Sequence, residues 1–155
     1  MSLVHLAAHH RDALVSILGR TKEFSDDDRE VALELLDLGI RREDTYRFWV
    51  WEGPGGRALG YICFGPTPMT QGTFDLYWIC VDPDTKGQGL GRKLVAGMEE
   101  TLKGEGGRLI RVETAGTEEY AATRAFYDRL KYEVVARIRD FYWPGNDLFI
   151  YGRYL

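Results

Sequence analysis

A chain of 155 residues, 45% hydrophobic and 28% charged, has the size of one domain and enough apolar side chain to bury a core without disulfides or metal. Its 20 Lys and Arg against 24 Asp and Glu give a net charge of -4, which argues against a dedicated nucleic-acid binder. No apolar run is long enough for a membrane span, residues 1–11 lack the apolar stretch of a secretory signal, and Cys63 and Cys80 have no CxxC spacing. A cytoplasmic protein with reduced, buried thiols is expected.

No repeat, low-complexity tract or Pro/Ser linker divides the chain, so a single domain over 1–155 is expected. His5, His9 and His10 read as part of an exposed, partly ordered terminus. No carboxylate or cysteine stands near them at ligand spacing, so no metal is expected. Residues 10–18 place Ala13, Leu14, Ile17 and Leu18 at helical spacing. Ser25 followed by Asp26, Asp27 and Asp28 reads as an N-cap with acids facing the positive helix end; Val31, Ala32, Leu35 and Leu36 form one face, and Gly39 can end that helix. Residues 46–51 and 58–64 are rich in aromatic and β-branched side chains around Glu52-Gly53-Pro54-Gly55-Gly56, which predicts a hairpin. Residues 73–81 are apolar on both faces, the pattern of a covered central strand. Leu90, Leu94, Val95, Met98 and Leu102 make the stripe of an amphipathic helix over 89–103. A strand over 108–114, a helix over 120–130 and strands over 133–139 and 148–154 follow, with 141–147 as a loop. This order predicts an α/β fold with a mixed sheet and helices on both faces.

Glycine is unusually frequent, 18 residues, and three glycines fall at alternate positions in VDPDTKGQGLGRKL, residues 81–94. A buried strand ends there, Gly87, Gly89 and Gly91 follow, and a helix begins. Such a turn lets the backbone approach a ligand closely, and the free N–H groups of the helix start make an anion site. Lys86, Arg92 and Lys93 add positive charge, so the expected ligand is a phosphate or pyrophosphate. The Walker A pattern fails because Arg92 and Lys93 follow where Gly-Lys-Ser/Thr is needed; the dinucleotide pattern fails at Arg92, where it requires glycine.

Lys86-Gly87-Gln88-Gly89-Leu90-Gly91, preceded by Ile79-Cys80-Val81-Asp82-Pro83, resembles the pyrophosphate loop of the GNAT superfamily of acyl-CoA-dependent N-acetyltransferases. The segment Thr123-Arg124-Ala125-Phe126-Tyr127 through Tyr132 is similar to the second motif of that family, and the resemblance covers about residues 46–155. Three positions depart from the pattern. Lys86 replaces Arg or Gln, Lys131 stands where glycine usually precedes the aromatic, and Tyr120 takes the place of an Asn that often holds the pantetheine arm. The chain is most similar to a branch with Y-x-x-T-R-x-F-Y and a later D-F-Y-x-P-G-[DN]-D, here Asp140 to Asp147.

The resemblance implies a GNAT fold, a mostly antiparallel twisted sheet with a splayed strand pair at the CoA site. It implies transfer of an acetyl group from acetyl-CoA to a primary amine by direct attack in a ternary complex. Ile79, Cys80 and Val81 would pair with pantetheine, and Lys86, Gly87, Gln88, Gly89, Leu90, Gly91 and Arg92 would hold the pyrophosphate, with Tyr120 beside the cofactor. Tyr127 matches the general acid; by itself it reads better as a core aromatic on an amphipathic helix, and the motif context favours the acid role. Glu113 or Asp75 can serve the amine as base, or each can be a salt-bridge partner; Asp75 and Trp143 are the candidate acceptor contacts. The expected partners are acetyl-CoA and an amine, with no nucleic acid and no membrane, and a homodimer stays open. A non-catalytic acyl-CoA-binding module on the same fold is the competing reading. Release of CoA thiol separates the two.

Overall fold

The second helix starts where its side chains make starting cheap. Ser25 Oγ accepts the N–H of Asp28 (3.1 Å) and the Asp28 carboxylate accepts the N–H of Ser25 (2.9 Å), a reciprocal cap worth about 1 kcal/mol. In the computed structural model, which describes residues 1–155, this helix is α2, Asp26–Arg41. It runs through Gly39 and stops on Arg42 at φ 56°. Gly39 has a different use: a Cβ there would strike the Phe48 ring, so the missing side chain lets the helix press onto the sheet. The other helices are α1, Arg11–Arg20; α3, Leu90–Gly104; and α4, Ala121–Arg129.

The strands are β1, Ser2–His5; β2, Arg47–Glu52; β3, Ala58–Pro66; β4, Thr73–Val81; β5, Leu109–Ala115; β6, Glu133–Trp143; and β7, Asn146–Tyr154. They form one sheet in the order β1-β2-β3-β4-β5-β7-β6. Every pair is antiparallel except β4–β5. Leu14, Ile17, Leu18 and Leu36 of α1 and α2 pack with Val50, Tyr61 and Cys63 on one face. On the other face, Leu94, Met98 and Leu102 of α3 and Tyr127 of α4 pack with Ile62, Ile110 and Tyr151. No helix is long and apolar enough to cross a membrane.

Two expectations are corrected. The N-terminal residues are ordered: β1 pairs with β2, and His5 stacks on Trp49 at 4.2 Å. His10 is 1% exposed and bonds Glu52 Oε1 through Nε2 at 2.6 Å, while its Nδ1 accepts the Ala7 N–H at 3.0 Å. His9 reaches the same carboxylate at 3.2 Å. A lone pair held by Ala7 assigns the His10 proton to Nε2, so His10 donates to Glu52 and has no free lone pair there for a metal. Four residues are too few to show strand periodicity, and Glu52 comes from a distant strand.

The stretch 141–147 is mostly strand, closing in a tight turn at Pro144-Gly145. Gly145 sits at φ 87° and donates to Asp140 Oδ1 (2.8 Å). The Asp147 carboxylate accepts the Asp140 N–H (2.9 Å) and Arg137 (2.7 Å), bonds that hold its pKa below the usual carboxylate range. The segment from Asp140 to Asp147 therefore builds the β6–β7 hairpin. Lys131 adopts φ 66°, so the turn that usually carries glycine forms with a lysine in the left-handed region.

Candidate active site

β4 and β5 are parallel neighbours for only three rungs, Thr73↔Leu109, Phe74↔Ile110 and Asp75↔Arg111. Beyond that point residues 76–81 and 112–115 diverge, and the backbone groups of the two arms that face each other have no strand partner. Unpaired backbone in a sheet interior needs a partner from outside the sheet. The arms are held apart by what lies behind each. β4 stays paired with β3 up to Val81↔Gly60, and β5 stays paired with β7 up to Ala115↔Leu148.

The end of β5 is fixed by two further anchors. Arg124 of α4 donates to the carbonyls of Ala115 (2.7 Å) and Thr117 (2.8 Å). Asn146 Oδ1 accepts the Gly116 N–H (3.2 Å). Arg124→Gln removes two charge-assisted hydrogen bonds, and we expect a loss of roughly 2–3 kcal/mol. The urea midpoint falls at unchanged slope; a midpoint like wild type would mean that the clamp carries no load.

The other arm leads into the glycine loop. Gly87 and Gly89 have φ 85° and 72°, and nothing lies within 4 Å of a Cβ built on either. Their conformation, not crowding, calls for glycine. Gly89 caps α3, and the N–H groups of Leu90, Gly91 and Arg92 have no acceptor in the protein. Gly91 has a packing role, since its Cβ would lie 3.1 Å from the Phe126 ring of α4. Lys86, Gln88 and Arg92 are exposed around the loop, whereas Lys93 lies over the Trp51 ring at 5.0 Å.

Ile79 and Val81 turn to the α3/α4 face of the sheet, and Cys80 turns to the α1/α2 face, 3.3 Å from Thr21 Oγ1. Burial pushes the Cys80 thiol up to about 11, so it is no nucleophile at neutral pH. Tyr127 lies on the α3/α4 face, 2% exposed, with ring centroids 5.6 Å from Tyr132 and 5.8 Å from Tyr151. Burial raises its phenol above the ordinary value near 10, so it stays protonated.

The opposite face holds the carboxylates. Asp75 is buried on the last rung and accepts from Arg111 Nε at 2.7 Å, a bond that raises the guanidinium pKa. Arg111 Nη1 also reaches Glu113 at 3.3 Å, and Glu113 is exposed. These three side chains, with Leu76, Tyr77 and Tyr142, line a cavity of about 240 Å³. Sequence reasoning missed Arg111 as the partner of Asp75, which lies on another strand, and it missed Tyr142. Trp143 is 60% exposed and does not line this cavity. Burial raises the Tyr142 and Tyr120 phenols, and the negative charge of Asp28 adds to the rise in both. A larger cavity, about 330 Å³, opens beside Arg42, Tyr46 and His5. None of Asp75, Glu113, Tyr120, Tyr127 and Trp143 lines it.

The protein family model described as "Acetyltransferase (GNAT) family" matches residues 11–132. A solved structure from Desulfovibrio desulfuricans, assigned in its description to the same family, is 34% identical, with 99% of this chain and 98% of that chain covered at a TM-score of 0.93. The ribosomal-protein-S18-alanine N-acetyltransferase from Escherichia coli shares the fold at 20% identity and TM-score 0.76, covering 99% and 92% of the two chains. An aminoglycoside 6'-N-acetyltransferase complexed with coenzyme A does so at 16% identity and TM-score 0.75, covering 99% and 97%. No curated protein matches the sequence significantly. With its diverging parallel strand pair, its glycine loop at a helix start and a family match over most of its length, the chain belongs to the GNAT family of acetyltransferases.

Proposed function

We propose that the chain acts as one N-acetyltransferase domain that moves an acetyl group from acetyl-CoA to a primary amine in a ternary complex. The observation that carries this reading is the division of chemistry across the β4–β5 gap. Tyr127 lies on the α3/α4 face, and Glu113 and Asp75 lie on the other.

A thioester seated in the gap meets the amine on one face and its acid on the other. The glycine loop and the α3 start bind the pyrophosphate, and the free backbone of Ile79, Cys80 and Val81 pairs with pantetheine and polarises the acetyl carbonyl. Asp75 is tied to Arg111, so Glu113, the exposed carboxylate, takes the proton of the incoming ammonium directly or through water. The free amine attacks the carbonyl carbon, the tetrahedral adduct collapses with cleavage of the C–S bond, the departing thiolate takes the Tyr127 proton, and the second proton lost by the amine nitrogen restores the phenol through solvent. Asp75 and Trp143 are proposed on the acceptor side, and Lys86 and Arg92 add charge near the phosphates.

Saturating acetyl-CoA is expected to raise the melting temperature, because it binds only the folded state; at 100 times Kd the gain is about 2.7 kcal/mol. A melt unmoved by acetyl-CoA and moved by ATP or NAD would sink the reading. Thiol release from acetyl-CoA across a panel of small amines, amino acids, antibiotics and peptides then tests turnover. Binding without release from any amine leaves an acyl-CoA-binding module instead.

A further inference from the structure

Six buried polar side-chain atoms have no hydrogen-bond partner: Nε1 of Trp49, Trp51 and Trp78, the Tyr61 hydroxyl, and Oγ1 of Thr67 and Thr114. A buried hydroxyl without a partner costs roughly 1–3 kcal/mol, so each position calls for a reason. Trp49, Trp51 and Tyr61 lie in strands paired on both sides, and Thr67 lies just past β3. Trp78 follows the last β4–β5 rung, but its ring packs against Phe24 on the α1/α2 face. Thr114 differs from all of these. It sits on the diverging arm of β5, and it shares the parity of Ile110 and Val112, which face α3 and α4. It is 4% exposed and lies on the face that carries Tyr127.

We infer that Thr114 Oγ1 is a binding group for the pantetheine arm of the acyl donor, a reading that rests on the proposed acetyl-CoA site. Two independent observations meet at this atom: its hydrogen bond is unmade within the protein, and its strand has just parted from its neighbour. Pantetheine is the part of the donor that fills such a gap, and its two amides offer carbonyl acceptors and N–H donors. A threonine hydroxyl serves either. Thr114 offers its hydroxyl from the strand that borders the gap.

The test uses Thr114→Val, which keeps the shape and removes the hydroxyl, and Thr114→Ser, which keeps the hydroxyl. Calorimetry measures Kd for CoA and for adenosine 3',5'-bisphosphate, which lacks the pantetheine arm, and urea melts measure the unliganded proteins. Thr114→Val is expected to weaken CoA about three- to tenfold, the worth of one neutral hydrogen bond. It leaves the bisphosphate unaffected, and the unliganded variant is at least as stable as wild type, because an unpartnered hydroxyl has gone. Thr114→Ser keeps CoA affinity within about twofold of wild type. Equal CoA affinity in Thr114→Val and wild type overturns the inference and leaves the acetyl-CoA reading standing. So does an equal loss for CoA and the bisphosphate, or a marked loss of stability without ligand, which would mean a partner inside the protein. Wild type that binds no CoA overturns the acetyl-CoA reading itself.

Discussion

Tyr127→Phe is expected to lower kcat and kcat/KM together by about 10²–10⁴-fold while acetyl-CoA affinity stays near wild type. The ring lies between Tyr132, Tyr151 and Phe126, and phenylalanine keeps all three contacts. The fold should therefore survive. Burial holds the phenol protonated, so its proton is available when the C–S bond breaks. A group that acts only in the transition state shows its loss in both kinetic constants and spares ground-state binding. The thiolate is a fair leaving group, which puts the expected loss toward the lower end. Rapid-quench kinetics with the preferred amine decides the matter. Wild-type turnover in the Phe variant, with chemistry rate-limiting, removes Tyr127 from the mechanism and assigns the proton to water.

Gly89→Glu is expected to weaken acetyl-CoA by about 10²–10³-fold, far more than it weakens the fold. Gly89 caps α3 at φ 72° with open space around it, so a side chain meets no protein atom and costs only left-handed strain, about 1–2 kcal/mol. A carboxylate about 4 Å from a phosphate, at an effective dielectric near 20, opposes binding by roughly 4 kcal/mol. Gly91→Glu is a poorer probe, because its Cβ presses on Phe126 and packing and binding fall together. Calorimetric Kd beside the urea midpoint separates the two effects at Gly89. Matching losses in both would make that glycine a structural residue alone.

The chain's periodic patterns were sufficient to place α1 through α4 and strands β2 to β5 within a few residues, because each buries one face against the sheet and repeats its apolar positions accordingly. The glycine loop was legible for a local reason: a strand end, left-handed glycines and a helix start are consecutive, so the geometry of the loop needs no distant partner. Tyr127 came from a motif, since a buried aromatic on an amphipathic helix looks the same with or without chemistry. The tertiary structure decided everything that depends on two distant segments meeting. Four residues, Ser2–His5, became a strand only because β2 lies beside them, and the buried His10 is satisfied because Glu52, 42 residues away, accepts its Nε2 hydrogen bond. Asp75 and Glu113 looked equivalent as carboxylates. Arg111 made them different by binding Asp75 on the last rung of the parallel pair and leaving Glu113 exposed. Tyr142 lines the cavity beside Asp75 and Glu113, and Trp143 does not, because successive side chains of β6 alternate between faces up to the turn at Pro144-Gly145. The unmade hydrogen bond of Thr114 is likewise visible only in three dimensions. A sequence carries the pattern of what each residue prefers, and the fold alone decides which polar groups are left without a partner.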